Sequence, residues 1–207
     1  IGWMLRTDEM LLGRGYFPTD VENTGESMIQ IAASGADTPQ ETIYQAYFYA
    51  IAQAKNTVYI ETPYFIPDES ILTALKAAAM AGVDVRIIFP QKSDHATVHE
   101  ASLSYLEELM RLGAKVYFYQ KGFIHSKMLL VDNEMASVGT ANMDIRSFML
   151  NSEINAFIYD KETVGRLYRV FADDLTDCRQ AKKAEVTQKF LPQRIWRSVC
   201  RLFSPVL

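Results

Sequence analysis

Runs of hydrophobic residues alternate along the chain with stretches of helical periodicity. The order is βαβα, which predicts an α/β fold in which a mixed, largely parallel β-sheet is flanked by helices. The predicted strands are 28–33, 57–61, 83–89, 115–119, two apolar runs around a turn at 132–133, and 153–159, and the predicted helices are 40–55, 68–81, 97–112 and 161–175. Pro67 and Gly82 mark the start and the end of the second helix.

The two ends of the chain differ from this regular middle. Residues 1–27 are irregular and rich in glycine, which is typical of a linker or of the trailing edge of a preceding domain. The regular part, 28–177, is predicted to be one domain. The tail, 178–207, has seven Lys/Arg and one acidic residue, so its formal charge of +6 leaves −10 for the rest of a chain whose total is −4.

From Pro192 onward the tail predicts an amphipathic basic helix. Arg194, Arg197 and Arg201 fall on one helical stripe, and apolar residues cover the remainder. Such a helix can lie at the headgroup level of an anionic membrane surface, with Trp196 at the interface and the arginines toward lipid phosphates. An ordinary terminal helix packed on the domain is an equal alternative.

The composition is that of a folded protein that does not span a membrane. Hydrophobic residues make up 49% of the chain, and no apolar run approaches the roughly 18 residues that a spanning helix needs. Cys178 and Cys200 are too few for a disulfide framework or a thiolate metal site and fit a reducing compartment. Because the chain begins at Ile1 without an initiator methionine, we expect it to be a fragment.

The most informative polar residues interrupt an apolar run. His125 and Lys127 are two apart, so an extended backbone places them on the same face. Burying a lysine beside a histidine is costly unless an anion lies between them, and a phosphate supplies that anion. Histidine is a competent nucleophile toward phosphorus, and Lys127 with an amide such as Asn142 can stabilise the charged oxygens. This scheme needs no metal and no cofactor.

These residues resemble a known family. HSKMLLVD, starting at His125, and GTANMD, starting at Gly139, are similar to the HxKxxxxD motif of the phospholipase D superfamily and its trailing Gly-Ser/Thr-x-Asn element. The resemblance implies a phosphohistidine mechanism in a phospholipase D-like half-domain over 28–177. The implied catalytic residues are His125, Lys127, Asp132, Asn142 and Glu153. Asp132, at a turn, is expected to have a structural part, and Glu153 to hydrogen-bond the histidine.

Further segments, at 30–35, 62–67, 122–124 and 202–207, look like bacterial cardiolipin synthases. That resemblance implies transfer of a phosphatidyl group from one phosphatidylglycerol to another, at the cytoplasmic face of a bacterial cell membrane, by a peripheral catalytic part. Only one histidine motif is present, whereas the superfamily uses two. The second is expected from an N-terminal half or from a second copy of the chain.

Other residues are weaker candidates for substrate contact. Tyr64 and Phe65 follow a strand end, where α/β folds place binding residues, Thr140 belongs to the resembling element, and His95 is a candidate for headgroup contact. His95 and His99 could alternatively be metal ligands, but a third ligand is not evident.

Two other functions share these motifs. A nuclease or simple phosphodiesterase of the same superfamily would use the same catalytic residues, although the −10 body is a poor surface for nucleic acid, so no nucleic-acid partner is expected. A non-catalytic lipid-binding half is the other alternative. The intact set of His125, Lys127, Asn142 and Glu153 argues against it.

Overall fold

The computed structural model describes Gly15 and residues 25–36, 41–187 and 190–203, so most of the predicted linker 1–27 and the start of the first predicted helix lie outside the described residues. Ten strands are found in this part of the chain: β1 Ile29–Ser34, β2 Thr57–Glu61, β3 Phe65–Ile66, β4 Asp84–Pro90, β5 Lys115–Tyr119, β6 Met128–Val131, β7 Met135–Gly139, β8 Met143–Asp144, β9 Glu153–Ile158 and β10 Cys178–Gln180. Seven helices accompany them: α1 Thr42–Gln53, α2 Glu69–Met80, α3 Ala96–Arg111, α4 Ile145–Met149, α5 Lys161–Thr176, α6 Lys183–Val186 and α7 Leu191–Phe203.

Eight strands form one mixed sheet in the order β1-β9-β7-β6-β2-β4-β5-β10, and β3 pairs with β8 separately. The mixed α/β architecture is confirmed, but the expectation of largely parallel pairing was wrong. In the large sheet only β2/β4 and β4/β5 are parallel, and the other five neighbouring pairs are antiparallel. Parallel neighbours need a long crossover, which α2 provides between β2 and β4 and α3 provides between β4 and β5.

Helices cover the sheet on both faces. On one face α1, α2 and α3 bury a large core that includes Ile43, Leu75 and Leu106, all 0% exposed. On the other face α5 packs Val164 and Phe171 against β4, β6 and β7. Burial of these side chains from water is the main favourable contribution to the fold. This layering leaves one end of β6, β7 and β9 open to solvent, where the polar residues of the motif lie.

The tail is continuous with the described fold. β10 pairs antiparallel with β5, and α7 lies along α3. The predicted helix is confirmed, but the expectation that its arginines face outward was wrong for Arg197, which is 6% exposed and pairs with Glu100. Glutamates on α3 provide nearer counter-charges than a lipid headgroup would. The division of the chain at 27 and 177 stays a prediction, and no helix in the described residues is long and apolar enough to cross a bilayer.

Candidate active site

Three antiparallel strands bring the motif residues to one end of the sheet. Lys127 immediately precedes β6, Gly139 ends β7 and Glu153 begins β9, and β7 pairs with both β6 and β9. The segment before β6, which includes His125, is irregular in structure. Strand pairing therefore brings Lys127, Gly139 and Glu153 to the same end of the sheet, although they are far apart in sequence.

Lys127 contacts His125 through the backbone of the histidine. The Lys127 Nζ donates a hydrogen bond of 2.7 Å to the backbone oxygen of His125. The imidazole is exposed and lies 5.7 Å, between ring centres, from Phe123. Burial lowers the pKa of Lys127 below its ordinary value, while the nearby carboxylates of Glu153 and Asp144 act in the opposite direction. An accessible imidazole thus stands beside a half-buried cation.

Asn142 has an unused polar atom at the site. Its Oδ1 is buried without a hydrogen-bond partner, and its side chain acts to lower the pKa of the nearby Asp144 carboxyl group. Its backbone N–H donates to Ser147 Oγ at 3.1 Å, and Ser147 N–H donates to Asp144 Oδ1 at 2.7 Å. An unpartnered buried acceptor is costly, and the same amide also has two N–H donors, which are the groups that can bind an anion. Asn142 is therefore held in place with hydrogen-bonding capacity to spare.

Asp144 is a buried carboxyl group that the sequence interpretation left without a role. Burial raises its pKa, hydrogen bonds from Ser147 and Asn142 oppose that shift, and the charge of Glu153 adds to it. The signal in the sequence was its place at the end of GTANMD. Its burial, which gives it this character, depends on β8 pairing with β3.

Glu153 lies near the cation but is not joined to the histidine. Asn151 Nδ2 donates to Glu153 Oε1 at 3.3 Å, and Glu153 is among the charges that act on Lys127. Between the described residues no hydrogen bond links Glu153 with His125. The predicted role of Glu153 in fixing the imidazole stays a prediction.

The buried side-chain amide of Asn155 holds the loop that carries Asn142 in place through hydrogen bonds. Asn155 donates to Tyr47 Oη and to Ser137 Oγ at 2.9 Å each, and its Oδ1 accepts from Ala141 N–H at 3.2 Å. A Cβ at Gly139 would overlap the side chain of Asn155 and the backbone of Ile154, so only glycine fits there. This network fixes the Gly-Thr-Ala-Asn segment against β9.

Thr140 contributes to the same fastening. Its hydroxyl accepts a hydrogen bond from Ile154 N–H at 2.9 Å, and its own N–H donates to Ile154 O at 3.0 Å. Its side chain is exposed. The predicted contact with substrate stays a prediction for Thr140, and the structure gives it a local role in anchoring the loop.

A pocket of about 370 Å³ adjoins the motif residues. It is lined by Tyr64, Ile66, His95, Thr97, Val98, Asn142, Asp144, Ile145, Arg146 and Asn151. Tyr64 donates to Asp94 Oδ2 at 2.7 Å, and its ring lies between those of His95 and Phe123, at 6.4 and 6.2 Å. Burial and the hydrogen bond to Asp94 raise the pKa of Tyr64 to about 12, so it remains a neutral phenol.

Phe65 and His99, both considered above as functional candidates, do not line this pocket. Phe65 is 0% exposed in the main core, so the prediction that it contacts substrate was wrong. It alternates with Tyr64 across the backbone and therefore points to the opposite side. His99 stacks on Phe89 at 5.3 Å, and the described residues contain no third ligand for a metal site with His95.

Asp132 lies at the far end of β6, away from the pocket. Its carboxylate accepts hydrogen bonds from the backbone N–H groups of Lys55, Asn56 and Thr57 at 2.8, 2.7 and 2.8 Å. Asp132 and Asn133 both have positive φ angles, 53° and 56°, as a tight hairpin turn requires. The structure therefore does not bring Asp132 to the other motif residues.

Comparison with known proteins gives the family to which the chain is related. The profile of the family described as "Cardiolipin synthase, PLD-like domain" matches residues 47–175. Cardiolipin synthase 2 of Bacillus cereus is 46% identical over 206 residues, which are 99% of this chain and 40% of that protein. A cardiolipin synthase of Listeria monocytogenes is 47% identical over 192 residues, 93% of this chain and 40% of its own. The chain thus spans about 40% of the length of these relatives.

Solved structures share the fold at lower identity. Nuc of Salmonella typhimurium, a phospholipase D family member, has a TM-score of 0.64 and 23% identity, covering 76% of this chain and 99% of its own. Phosphatidylserine synthase of Haemophilus influenzae has a TM-score of 0.72 and 15% identity, covering 90% of this chain and 49% of its own. The profile match and the identity along nearly the whole chain show that this chain belongs to the cardiolipin synthase family of phospholipase D-like domains.

Proposed function

We propose that this chain is one catalytic half of a phosphatidyltransferase that makes cardiolipin from two molecules of phosphatidylglycerol. The observation that carries the proposal is that strand pairing brings an exposed imidazole, His125, and a half-buried lysine, Lys127, to the end of the sheet where Asn142 lines a pocket. The names of the relatives, which are cardiolipin synthases, support the lipid substrate.

Each group has a part that follows from its chemistry. The Lys127 ammonium and the side-chain amide N–H groups of Asn142 would hold the two non-bridging oxygens of a phosphodiester, where charge develops during transfer. His125 has a ring nitrogen free to reach phosphorus or to pass a proton. Glu153 and Asp144 keep the charge of the site moderate, so the phosphodiester is held without being trapped.

The reaction divides into two displacements at phosphorus. A histidine nitrogen attacks the phosphorus of the first phosphatidylglycerol, the bond to its terminal glycerol oxygen breaks, and glycerol leaves with a proton from a second histidine. A glycerol hydroxyl of the second phosphatidylglycerol then gives its proton to that histidine and attacks the phosphohistidine, the P–N bond breaks, and cardiolipin is released. His125 is one of these two histidines.

The second histidine would come from another half. Three apolar side chains on the sheet face that bears α5 support a covering partner: Ile31, Val138 and Ile154 are 61%, 36% and 52% exposed on neighbouring strands. Ile31 and Val138 both lie opposite Ala156, which makes a continuous apolar row across β1, β9 and β7. An N-terminal half that carries the other motif, or a second copy of this chain, would bury this row. The intact enzyme would act as a peripheral catalytic part at the cytoplasmic face of the cell membrane.

The substrate class is tested by offering the intact protein phosphatidylglycerol vesicles in one reaction and double-stranded DNA in another. We expect cardiolipin and glycerol in equal amounts from the vesicles and no cleavage of DNA. Cleavage of DNA without lipid turnover would favour a nuclease, and phosphatidic acid without cardiolipin would favour a hydrolase. Lipid binding with neither reaction would favour a non-catalytic half.

A further inference from the structure

Helix α7 turns its apolar side to solvent and its basic side to the protein. Its apolar residues fall within an arc of about 140° at 100° per residue. They are Leu191, Ile195, Trp196, Val199, Leu202 and Phe203, with exposed fractions of 38% to 76%. Arg197 and Cys200, on the other side, are 6% and 3% exposed. This is the reverse of the usual orientation, in which a surface helix buries its apolar stripe.

Ion pairs with α3 hold the helix in this orientation. Arg197 donates to Glu100 at 3.0 Å, lies 3.5 Å from Glu107, and also bonds the backbone oxygen of Val186. Arg201 donates to Glu108 at 2.9 Å, and its guanidinium lies 4.4 Å from the centre of the Tyr105 ring. A buried arginine that lost its partners would be strongly destabilising. Turning α7 over to hide the apolar ridge would impose that cost.

The ridge lies close to the candidate active site. A groove of about 420 Å³ is bordered by Ser198, Arg201 and Leu202 of α7 and by Ile145 of α4. Ile145 also lines the pocket that holds Asn142. Leu202 of the ridge and Asn142 of the pocket therefore border two depressions that share Ile145 as a wall.

We propose that α7 is an interfacial helix whose apolar ridge lies in the surface of a lipid bilayer. The choice of a lipid as the occupant rests on the proposed function, since a pocket that acts on phospholipid headgroups must stand at the bilayer surface. A convex ridge of large aliphatic and aromatic residues, with Trp196 at one margin, suits the boundary between headgroups and acyl chains. The headgroup can then enter the pocket while the acyl chains stay in the membrane.

The ion pairs also define what kind of membrane contact this is. Because Arg197 and Arg201 are engaged by glutamates, the helix offers its hydrophobic surface and few of its charges. We therefore expect insertion to depend on hydrophobic burial and to change by no more than about threefold between neutral and anionic vesicles. A polybasic contact would change far more steeply with anionic lipid.

The test places nitroxide labels on the intact protein, in a background in which Cys178 and Cys200 are serine. The labelled positions are Leu202→Cys on the ridge and Gln193→Cys, which is exposed on the opposite side of the same helix. On adding phosphatidylglycerol–phosphatidylcholine vesicles, we expect the label at 202 to become more accessible to oxygen than to a water-soluble nickel complex, and the label at 193 to stay in water. A label at 202 that stays in water, or that both reagents fail to reach because protein covers it, would overturn the proposal.

A second measurement separates this inference from the proposed function. The double variant Ile195→Gln, Leu202→Gln should lose about tenfold in transfer activity on vesicles and keep its activity in detergent micelles, because it removes only apolar surface. An equal loss in both would mean that these residues support the fold rather than membrane contact. Absence of lipid turnover by the unaltered protein would contradict the proposed function, while the nitroxide result would still decide the role of α7.

Discussion

The two ends of strand β6 carry polar residues of the same motif in opposite states. At one end the Asp132 carboxylate accepts three backbone hydrogen bonds between 2.7 and 2.8 Å. At the other end the imidazole of His125 is exposed, burial lowers the pKa of Lys127, and the amide of Asn142 lines the pocket. A polar group whose bonds are all used holds the fold together. One with unused capacity beside a pocket is available for chemistry.

The largest effect is expected at the open end of β6. Lys127→Met should lower the rate of phosphatidyl transfer by about a thousandfold, because removing one preorganised group that stabilises transition-state charge costs 10²- to 10³-fold. Lys121→Met is the matched control, since Lys121 is an exposed lysine paired with Asp177. The initial rate of cardiolipin formation by both variants of the intact protein measures the difference. Similar rates would remove Lys127 from the reaction.

The next effect is expected at the closed end. Asp132→Ala should lower the free energy of unfolding by about 2 to 3 kcal/mol, since three N–H groups lose a charged acceptor. Asp160→Ala is the control, because Asp160 accepts one such bond, from Thr163, at an exposed helix N-terminus, and its loss should cost less. Urea unfolding gives both values. If Asp132→Ala abolished transfer in protein that remained folded, the contrast between the two ends would be wrong.

Glu61 shows that an unpaired oxygen is not enough to mark a functional residue. It pairs across strands with Met128, is 1% exposed, and has an Oε2 without a partner, but it hydrogen-bonds Asp174 on the face that α5 covers. Burial raises its pKa from 4.5 to about 7, with a further contribution from Asp174. Its contribution to stability is thus complete below pH 4.5 and is lost as pH rises through 7.

Replacing Glu61 with glutamine should therefore matter only at high pH. Glu61→Gln should be more stable than the unaltered protein by on the order of 2 kcal/mol at pH 9, and about equal to it at pH 4. Urea unfolding across this range tests the expectation, and Glu134→Gln, at an exposed turn, is the control. A gain that is the same at every pH would contradict a raised pKa at Glu61.

The smallest effect is expected at the rim of the pocket. Tyr64→Phe removes a hydrogen bond of 2.7 Å to Asp94 and leaves the ring in place. We expect KM for phosphatidylglycerol to rise about fivefold with kcat nearly unchanged, because the rim of the pocket loses its tie to Asp94 while His125, Lys127 and Asn142 are untouched; fivefold corresponds to about 1 kcal/mol of binding. A large fall in kcat with unchanged KM would move Tyr64 from positioning the substrate to the reaction itself.

Much of the layering could be predicted from the hydrophobic pattern, because period and length separate strands from helices. Antiparallel pairing could not, since a continuous apolar run such as Met128–Val131 reads the same in either direction. Phe65 and Tyr64 are adjacent aromatic residues of similar size, and only the path of the backbone decides which side chain is buried. The inward arginines of α7 depend on glutamates about ninety residues earlier.

Only part of the candidate site could be predicted, because the sequence reveals local spacing and does not reveal long-range packing. His125 and Lys127 are close because they are two residues apart, which spacing alone reveals. The burial of Asp144 depends on the pairing of β3 with β8, and the role of Asn151 depends on its hydrogen bond to Glu153. Neither could be predicted from the sequence. Local geometry can be predicted from the sequence. Burial and the choice of hydrogen-bond partners cannot, because they depend on packing between distant segments.

The most direct test of the account is the transfer rate of the intact protein with His125→Ala, measured with phosphatidylglycerol labelled in its phosphate. Within the described part of the chain, His125 is exposed and its hydrogen bond is the one that its backbone oxygen accepts from Lys127, so the variant should fold as the unaltered protein does. Whether His125 attacks phosphorus or passes the proton, cardiolipin formation should fall by at least about a thousandfold. An unchanged rate in folded His125→Ala protein would show that this half holds lipid without reacting with it.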